Sequence, residues 1–393
     1  MILKSNHKVS LTLFLIISLL MHLANYLVIP ILPIFLSVYK KIDPFLISVI
    51  ISVNLILLEI GSLLGGILSD KLNHKFVIAL GSSIHAIGMF VFSIMSNYYL
   101  LLIFWGLSGF GHGILAPTIK CSINDLCDND ETKQKAFSYR GIFANIGVGI
   151  AALIILLGLA NYQYLIFIIA SIILSLIFVL SFFIKNNHKE SKSIKLKDYF
   201  TILKNRTLLF FGIIILIINF GYAQLSFLLP LKLDDLNLAH IFIGLIWLIM
   251  SIEVISFQNL ITNKVINRFN VIIVLFIAML SFSLGVFFIG LSNTIIILIV
   301  GSIIFTIGQM LITPSIDSTV GKISDSSSSG LFYSIAHLLH GLGQALGTSF
   351  SGLIISNFNL SFISFLIITF CLLALSILIF LFRKIKIEAS TQP

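Results

Sequence analysis

The sequence predicts an all-α membrane protein: twelve transmembrane helices in two pseudo-symmetric six-helix bundles, with both termini in the cytosol. Three observations carry this: the composition, the recurrence of long apolar runs, and the sidedness of the basic residues. Hydrophobic residues make up 58% of the 393 positions and charged residues 10%, with a mean hydropathy of +1.12. A soluble domain carries about 25% charged residues. A chain this apolar lacks the polar surface to keep a soluble fold in water.

Apolar runs occupy residues 10–38, 45–69, 76–96, 99–119, 138–160, 164–184, 208–231, 240–262, 270–291, 294–320, 329–354 and 361–382. A helical span needs about 20 such residues, each rising about 1.5 Å. Helices are the expected form because irregular backbone cannot face lipid, and the runs lack the alternation of barrel strands. The first run is too long for a signal-peptide core. It contains Pro30 and Pro33, and another span follows at once, so it is expected to be the first helix of the mature protein.

The formal net charge is +9. With the N-terminus in the cytosol and the spans alternating, only Lys40, Lys41 and Lys232 fall outside, and the other 21 of the 24 Lys and Arg fall on the cytosolic side. This is the positive-inside bias of multi-pass proteins. The basic balance is therefore topological, and no nucleic-acid partner is expected. Seven Lys or Arg lie within residues 185–206, where a short helix is expected on the anionic inner leaflet. The segment divides the chain into an N-terminal bundle, 1–184, a basic linker, 185–207, and a C-terminal bundle, 208–393. Cys121, Cys127 and Cys371 form no disulfide framework or zinc pattern and are read as plain thiols; no cofactor and no metal are expected.

The halves repeat. GGILSDKLNHK at 65–75 follows the second run and NLITNKVINR at 259–268 follows the eighth; Asp70 then aligns with Asn263, Lys71 with Lys264 and Lys75 with Arg268. Pro117 and Pro314 lie 197 positions apart, Gly147 and Gly343 lie 196 apart. Similar offsets at three places indicate a duplicated six-helix unit whose second copy has drifted.

GGILSDKLNHK resembles the G-x-L-x-D-R-x-G-R-K loop of the major facilitator superfamily, with Gly66, Leu68, Asp70, Lys71 and Lys75 in place, Asn73 at a usual Gly and His74 at a usual Arg. The resemblance implies that Gly66, Asp70, Lys71 and Lys75 form a latch holding the halves outward-open; Gly66 is expected to permit close helix packing. The same residues also suit an ordinary surface turn. GFGHGILAP at 109–117 resembles the glycine-rich fourth helix of the family, with Trp105 where many proton-driven members carry Arg. NIGVGIAA at 145–152 is similar to the exporter motif of the drug:proton antiporter group, with Ala151 and Ala152 in place of Gly-Pro. The match covers the whole chain in layout and short stretches in sequence.

The resemblance further implies a central cavity lined by helices 1, 4, 7 and 10, with helices 2, 5, 8 and 11 between the halves. Polar groups at membrane depth are expensive and are candidates for function. On those four helices they are His22, Asn25, Tyr26, His112, Asn219, Tyr222, Gln224 and Gln309, the expected contacts of a small-molecule substrate. Each could equally bond across helices and only hold the bundle together. Glu59 and Glu253, 194 positions apart, are carboxylates inside spans, and His337, His340 and Gln344 share one helical face. Glu59, Glu253, His337 and His340 are the expected proton-coupling groups, since a buried carboxylate and a histidine can both exchange protons near neutral pH. His85, on a peripheral helix, is read as structural.

The function expected from these residues and this resemblance is secondary active transport of a small organic molecule by alternating access. The expected form is a proton-coupled exporter of drug or siderophore type, monomeric, in a bacterial cytoplasmic membrane. An amide- and histidine-rich cavity suits a polar or mildly anionic cargo. A proton-coupled importer of an amino acid or sugar is the alternative. A membrane-embedded enzyme or receptor is the reading from another class, without a large loop or a nucleotide-binding motif to support it.

Overall fold

The structure, a computed structural model, describes residues 5–126, 130–158, 163–184, 206–238, 241–266, 268–323 and 329–381. Twelve of its helices are long and apolar enough to cross a membrane. They are α1 (Ser5–Val28), α2 (Pro44–Lys71), α3 (His74–Ile94), α4 (Tyr98–Asp125), α5 (Asp130–Leu156), α6 (Gln163–Ser181), α7 (Arg206–Asp235), α8 (Ile241–Ile261), α9 (Val271–Leu291), α10 (Ile295–Ile323), α11 (Ser329–Phe358) and α12 (Phe362–Leu381). Each expected run corresponds to one of them. The basic segment 185–205 and Cys127 lie outside the described residues, while Cys371 is a free thiol.

The first run differs from expectation in one respect. α1 ends at Val28, and the chain re-forms a single turn, Leu32–Ile34, and a π-helical turn, Phe35–Tyr39. Pro30 and Pro33 are the cause: each removes a donor, and each disfavours helical backbone at the residue before it. The corresponding helix α7 has only Pro230, 197 positions after Pro33, and runs unbroken to Asp235. At the end of the broken segment Lys40 Nζ donates to Ser93 O at 3.2 Å and lies over the Phe35 ring. Partial burial there lowers the Lys40 ammonium from its usual range.

Two compact units organise the helices. The first holds residues Met1–Ile42, Val53–Ile194 and Ile243–Leu248; the second holds Asp43–Ser52, Lys195–Phe242 and Ile249–Pro393. Inside the first, α1 packs on α5 and α6, and α3 on α4 and α6. Inside the second, α7 packs on α11, and α9 on α10 and α12. Except for α1 on α6, the helix pairs correspond under the repeat, so the duplication seen in the offsets extends to packing.

Small residues make these contacts possible. Gly109 and Gly113 of α4 lie against Asn54 and Leu58 of α2, and Gly111 lies against Gly81 and His85 of α3. A Cβ at Gly111 would stand 2.7 Å from Gly81 O, closer than side chains pack. Helices approaching this tightly gain dispersion contact, which drives association where lipid removes the hydrophobic difference. Gly147 of α5 abuts Leu19 of α1, and Gly343 of α11 abuts Leu216 of α7, the same contact in each unit. Gly66 behaves otherwise. A Cβ there would meet nothing within 4 Å, so the expected close packing at Gly66 is not seen; the tight approach belongs to Gly65, whose added Cβ would lie 2.7 Å from Ile114 O.

Helix starts repeat too. Asn73 Oδ1 accepts from Lys75 N at 3.2 Å to cap α3, and Asn270 Oδ1 accepts from Ile272 N at 2.9 Å to cap α9. These N-caps are 197 positions apart. Asn at the usual glycine of the loop is thus explained: its side chain satisfies an orphan N–H of the following helix.

Candidate binding and coupling site

Within the first unit, a polar cluster joins α1, α3 and α4. His22 Nδ1 lies 2.7 Å from Ser18 O, and Asn25 Nδ2 donates to Met21 O at 3.0 Å. Asn25 Nδ2 also lies 3.5 Å from His112 Nε2, at the outer limit of a hydrogen bond. Asn25 thus reaches α4, while the His22 Cβ lies beside Gly147 of α5. Tyr26 meets Trp247 edge-on, with ring centroids 5.6 Å apart.

The cluster extends to a residue that chain position alone assigns to the periphery. His85 of α3 stacks on His112, with centroids 5.3 Å apart and planes at 21°. His85 is 2% exposed and its Nδ1 has no hydrogen-bond partner among the described residues. Gly111 brings the two helices close enough for this contact, so the glycine spacing of α4 was the available signal. Arg140 of α5 is a second residue that sequence reasoning passed over. It is half-buried, and its Nε has no hydrogen-bond partner among the described residues.

Within the second unit the equivalent positions are aromatic or amide. His22, Asn25, His85 and His112 correspond, 197 positions on, to Asn219, Tyr222, Phe282 and Gln309. Asn219 is buried and donates to Ile215 O at 2.8 Å. Tyr222 packs near Phe282 and Phe305, which stack on each other with centroids 4.1 Å apart. Gln309 is half-exposed. Equivalent positions therefore differ in chemistry, titratable in the first unit and aromatic or amide in the second. Gln224 has a different placement. It is fully buried, donates to Gly347 O at 3.3 Å and accepts from Ser351, so its amide ties α7 to α11.

The expected coupling groups lie on α2, α8 and α11. Glu59 of α2 is 5% exposed. Glu253 of α8 is half-exposed at the wall of a cavity, and its Oε2 is buried with no hydrogen-bond partner among the described residues. His337 and His340 of α11 lie 5.6 Å apart by ring centroids, and His340 Nε2 lies 3.3 Å from Gln344 Nε2. No group of three or more His, Cys, Asp or Glu among the described residues could hold a metal.

In the loop between α2 and α3, Lys71 is exposed and Lys75 Nζ lies 4.8 Å over the Phe76 ring. The Asp70 side chain lies outside the described ones. His74, at the position of a usual Arg, pairs its Nε2 with Asp125 Oδ2 at 2.9 Å. That bond fastens the start of α3 to the end of α4, a pairing that residue spacing does not signal.

A duplicated six-helix bundle with polar side chains at membrane depth defines a polytopic membrane transporter as the class of protein. The family comparison is specific: the Major Facilitator Superfamily model matches residues 14–261 and 233–393. The chain belongs to the major facilitator superfamily. The MFS-type transporter YqjV of Bacillus subtilis (strain 168), itself uncharacterised, is 23% identical over 383 residues, covering 94% of this chain and 92% of that one. Among solved structures, a POT family transporter in complex with a thioalcohol-conjugated peptide superposes with a TM-score of 0.80 at 15% identity, covering 95% of this chain and 96% of that one. The nucleoside transporter NupG gives a TM-score of 0.80 at 18% identity, covering 95% and 99%. At such identities these structures establish the fold alone.

Proposed function

We propose that this transporter is a proton-coupled exporter of a small organic molecule, working by alternating access in a bacterial cytoplasmic membrane with both termini in the cytosol. The observation that carries coupling is the Asn25–His112–His85 cluster, two histidines stacked inside an apolar bundle. Two imidazolium charges stacked this closely repel, so protonating one changes the affinity of the other for a proton. The cargo contacts in this reading are His22, Asn25, Tyr26 and His112 in the first unit and Asn219, Tyr222 and Gln309 in the second. Glu59, Glu253, His337 and His340 are the further proton-exchanging groups. Export is favoured by the helix that resembles the exporter motif: Gly147 seats α5 on α1 as a motif glycine would.

The test compares metabolites of a deletion strain and its parent, inside cells and in the medium. Export predicts accumulation of one compound inside the deletion strain and its loss from the medium. Intracellular depletion of a compound left in the medium refutes export and supports uptake instead, the direction implied for a nutrient importer.

A further inference from the structure

Arg140 is the second residue of the apolar stretch Tyr139–Leu156 of α5. The helix sets its direction. Arg140, Ala144, Gly147 and Ala151 follow one another at four, three and four residues, so they share one face. Ala144 and Ala151 are buried, and Gly147 abuts the Leu19 and Leu23 backbone and the His22 Cβ of α1. The opposite face carries Ile142, Ile146 and Leu153, all exposed. Arg140 is therefore turned toward α1 and the interior of the first unit.

An arginine near the end of a span ordinarily snorkels along the outer surface to a headgroup, or pairs with an acid. The face of Arg140 points away from the outer surface. Its Nε is enclosed without a hydrogen-bond partner, and no ion pair reaches it among the described residues. A charge left unpaired in such a place is costly. The fold does not require it. Gly147 corresponds to Gly343, 196 positions on, and by the same offset Arg140 corresponds to Ala336 of α11, which is small and buried. The second unit thus fills the equivalent position without a charge.

The residue is half-buried, and Nε alone of its nitrogens is enclosed without a partner, so the terminal nitrogens are its open end. A neutral ligand leaves that charge unmet, and a cation is repelled. A carboxylate or phosphate matches it, because two terminal nitrogens of a planar guanidinium offer parallel donors to two oxygens. Gly147, beside His22, lies two turns along the same face, about 10 Å from Arg140. We infer that Arg140 anchors the carboxylate or phosphate group of the cargo, and that the cargo is an organic anion whose body extends along α1 toward His22. The inference rests on the transporter reading for the word cargo; oxyanion binding by Arg140 stands apart from it.

The test is equilibrium binding of benzoate and phenyl phosphate to the purified full-length protein in phosphatidylcholine nanodiscs, with benzyl alcohol as the uncharged counterpart. Wild type is expected to bind at least one anion, and benzyl alcohol at least about tenfold more weakly, the scale of a hydrogen-bonded charge. Arg140→Ala installs the residue of the second unit. It is expected to keep the unfolding temperature and to lose at least about tenfold for the anion, and Arg140→Lys to recover part of the loss. Phenyl phosphate is also expected to protect Arg140 of the wild type from phenylglyoxal, read by peptide mass, which decides the matter if Arg140→Ala does not fold. No binding of either anion, equal affinity for benzyl alcohol, unchanged affinity in Arg140→Ala, or no protection overturns the inference. Phosphatidylglycerol retained by wild type and released by Arg140→Ala, read by native mass spectrometry, makes a lipid headgroup the partner and overturns the cargo clause. A cargo without an acidic group in the metabolite comparison overturns that clause too. The side of the membrane on which that cargo accumulates decides export independently, so the two readings fail separately.

Discussion

At the scale of single residues, equivalent positions in the two units explain more than either unit alone. His85 corresponds to Phe282, which stacks on Phe305 in an apolar setting. A phenyl ring is therefore compatible with this place in the fold. His85→Phe is expected to change thermal unfolding of the purified protein little and to alter the pH dependence of transport. A fall of many degrees in the unfolding temperature would instead make His85 a structural residue. The carboxylates divide similarly. Glu59→Gln is expected to abolish dependence of transport on a pH gradient while binding of the cargo identified by metabolite comparison persists, measured in proteoliposomes with and without an imposed gradient. Unchanged gradient dependence would remove Glu59 from the coupling set. The polar candidates on α1 were legible because polar residues stand out inside an apolar run. His85, Asp125 and Arg140 were not, because their roles depend on which helices meet, and spacing within one helix does not say that.

At the scale of helices, the sequence was most readable where its physics is local. Apolar length gave every span, and prolines and asparagines marked breaks and starts. The broken end of α1 was missed because a continuous apolar run hides a backbone that Pro30 and Pro33 have interrupted. Asn73→Ala and Asn270→Ala each remove an N-cap and are expected to cost about 1 kcal/mol, read as lowered unfolding temperature. Gly111 bears more, since any side chain drives α4 away from Gly81 and His85. Gly111→Leu is expected to prevent stable folding, seen as loss of a monodisperse peak in size-exclusion chromatography. Gly66→Ala, by contrast, is expected to leave folding intact because its added Cβ meets nothing. Wild-type behaviour of Gly111→Leu would contradict the packing account.

At the scale of the whole molecule, the duplication is visible in offsets near 197, in caps, in helix pairings and in the placement of polar side chains. What drifted is as informative as what was kept: the first unit kept histidines and the acidic loop residue, while the second has aromatic rings and Asn263. Asp70→Asn is accordingly expected to impair turnover far more than Asn263→Ala. Cargo and direction were not legible, because a few polar groups on a shared scaffold accommodate many molecules. Transport by inverted membrane vesicles separates proton-coupled export from uptake. The compound identified by metabolite comparison should accumulate in inverted vesicles when their interior is acidified, and a protonophore should abolish that uptake. Uptake confined to right-side-out vesicles, or indifferent to the protonophore, would contradict it.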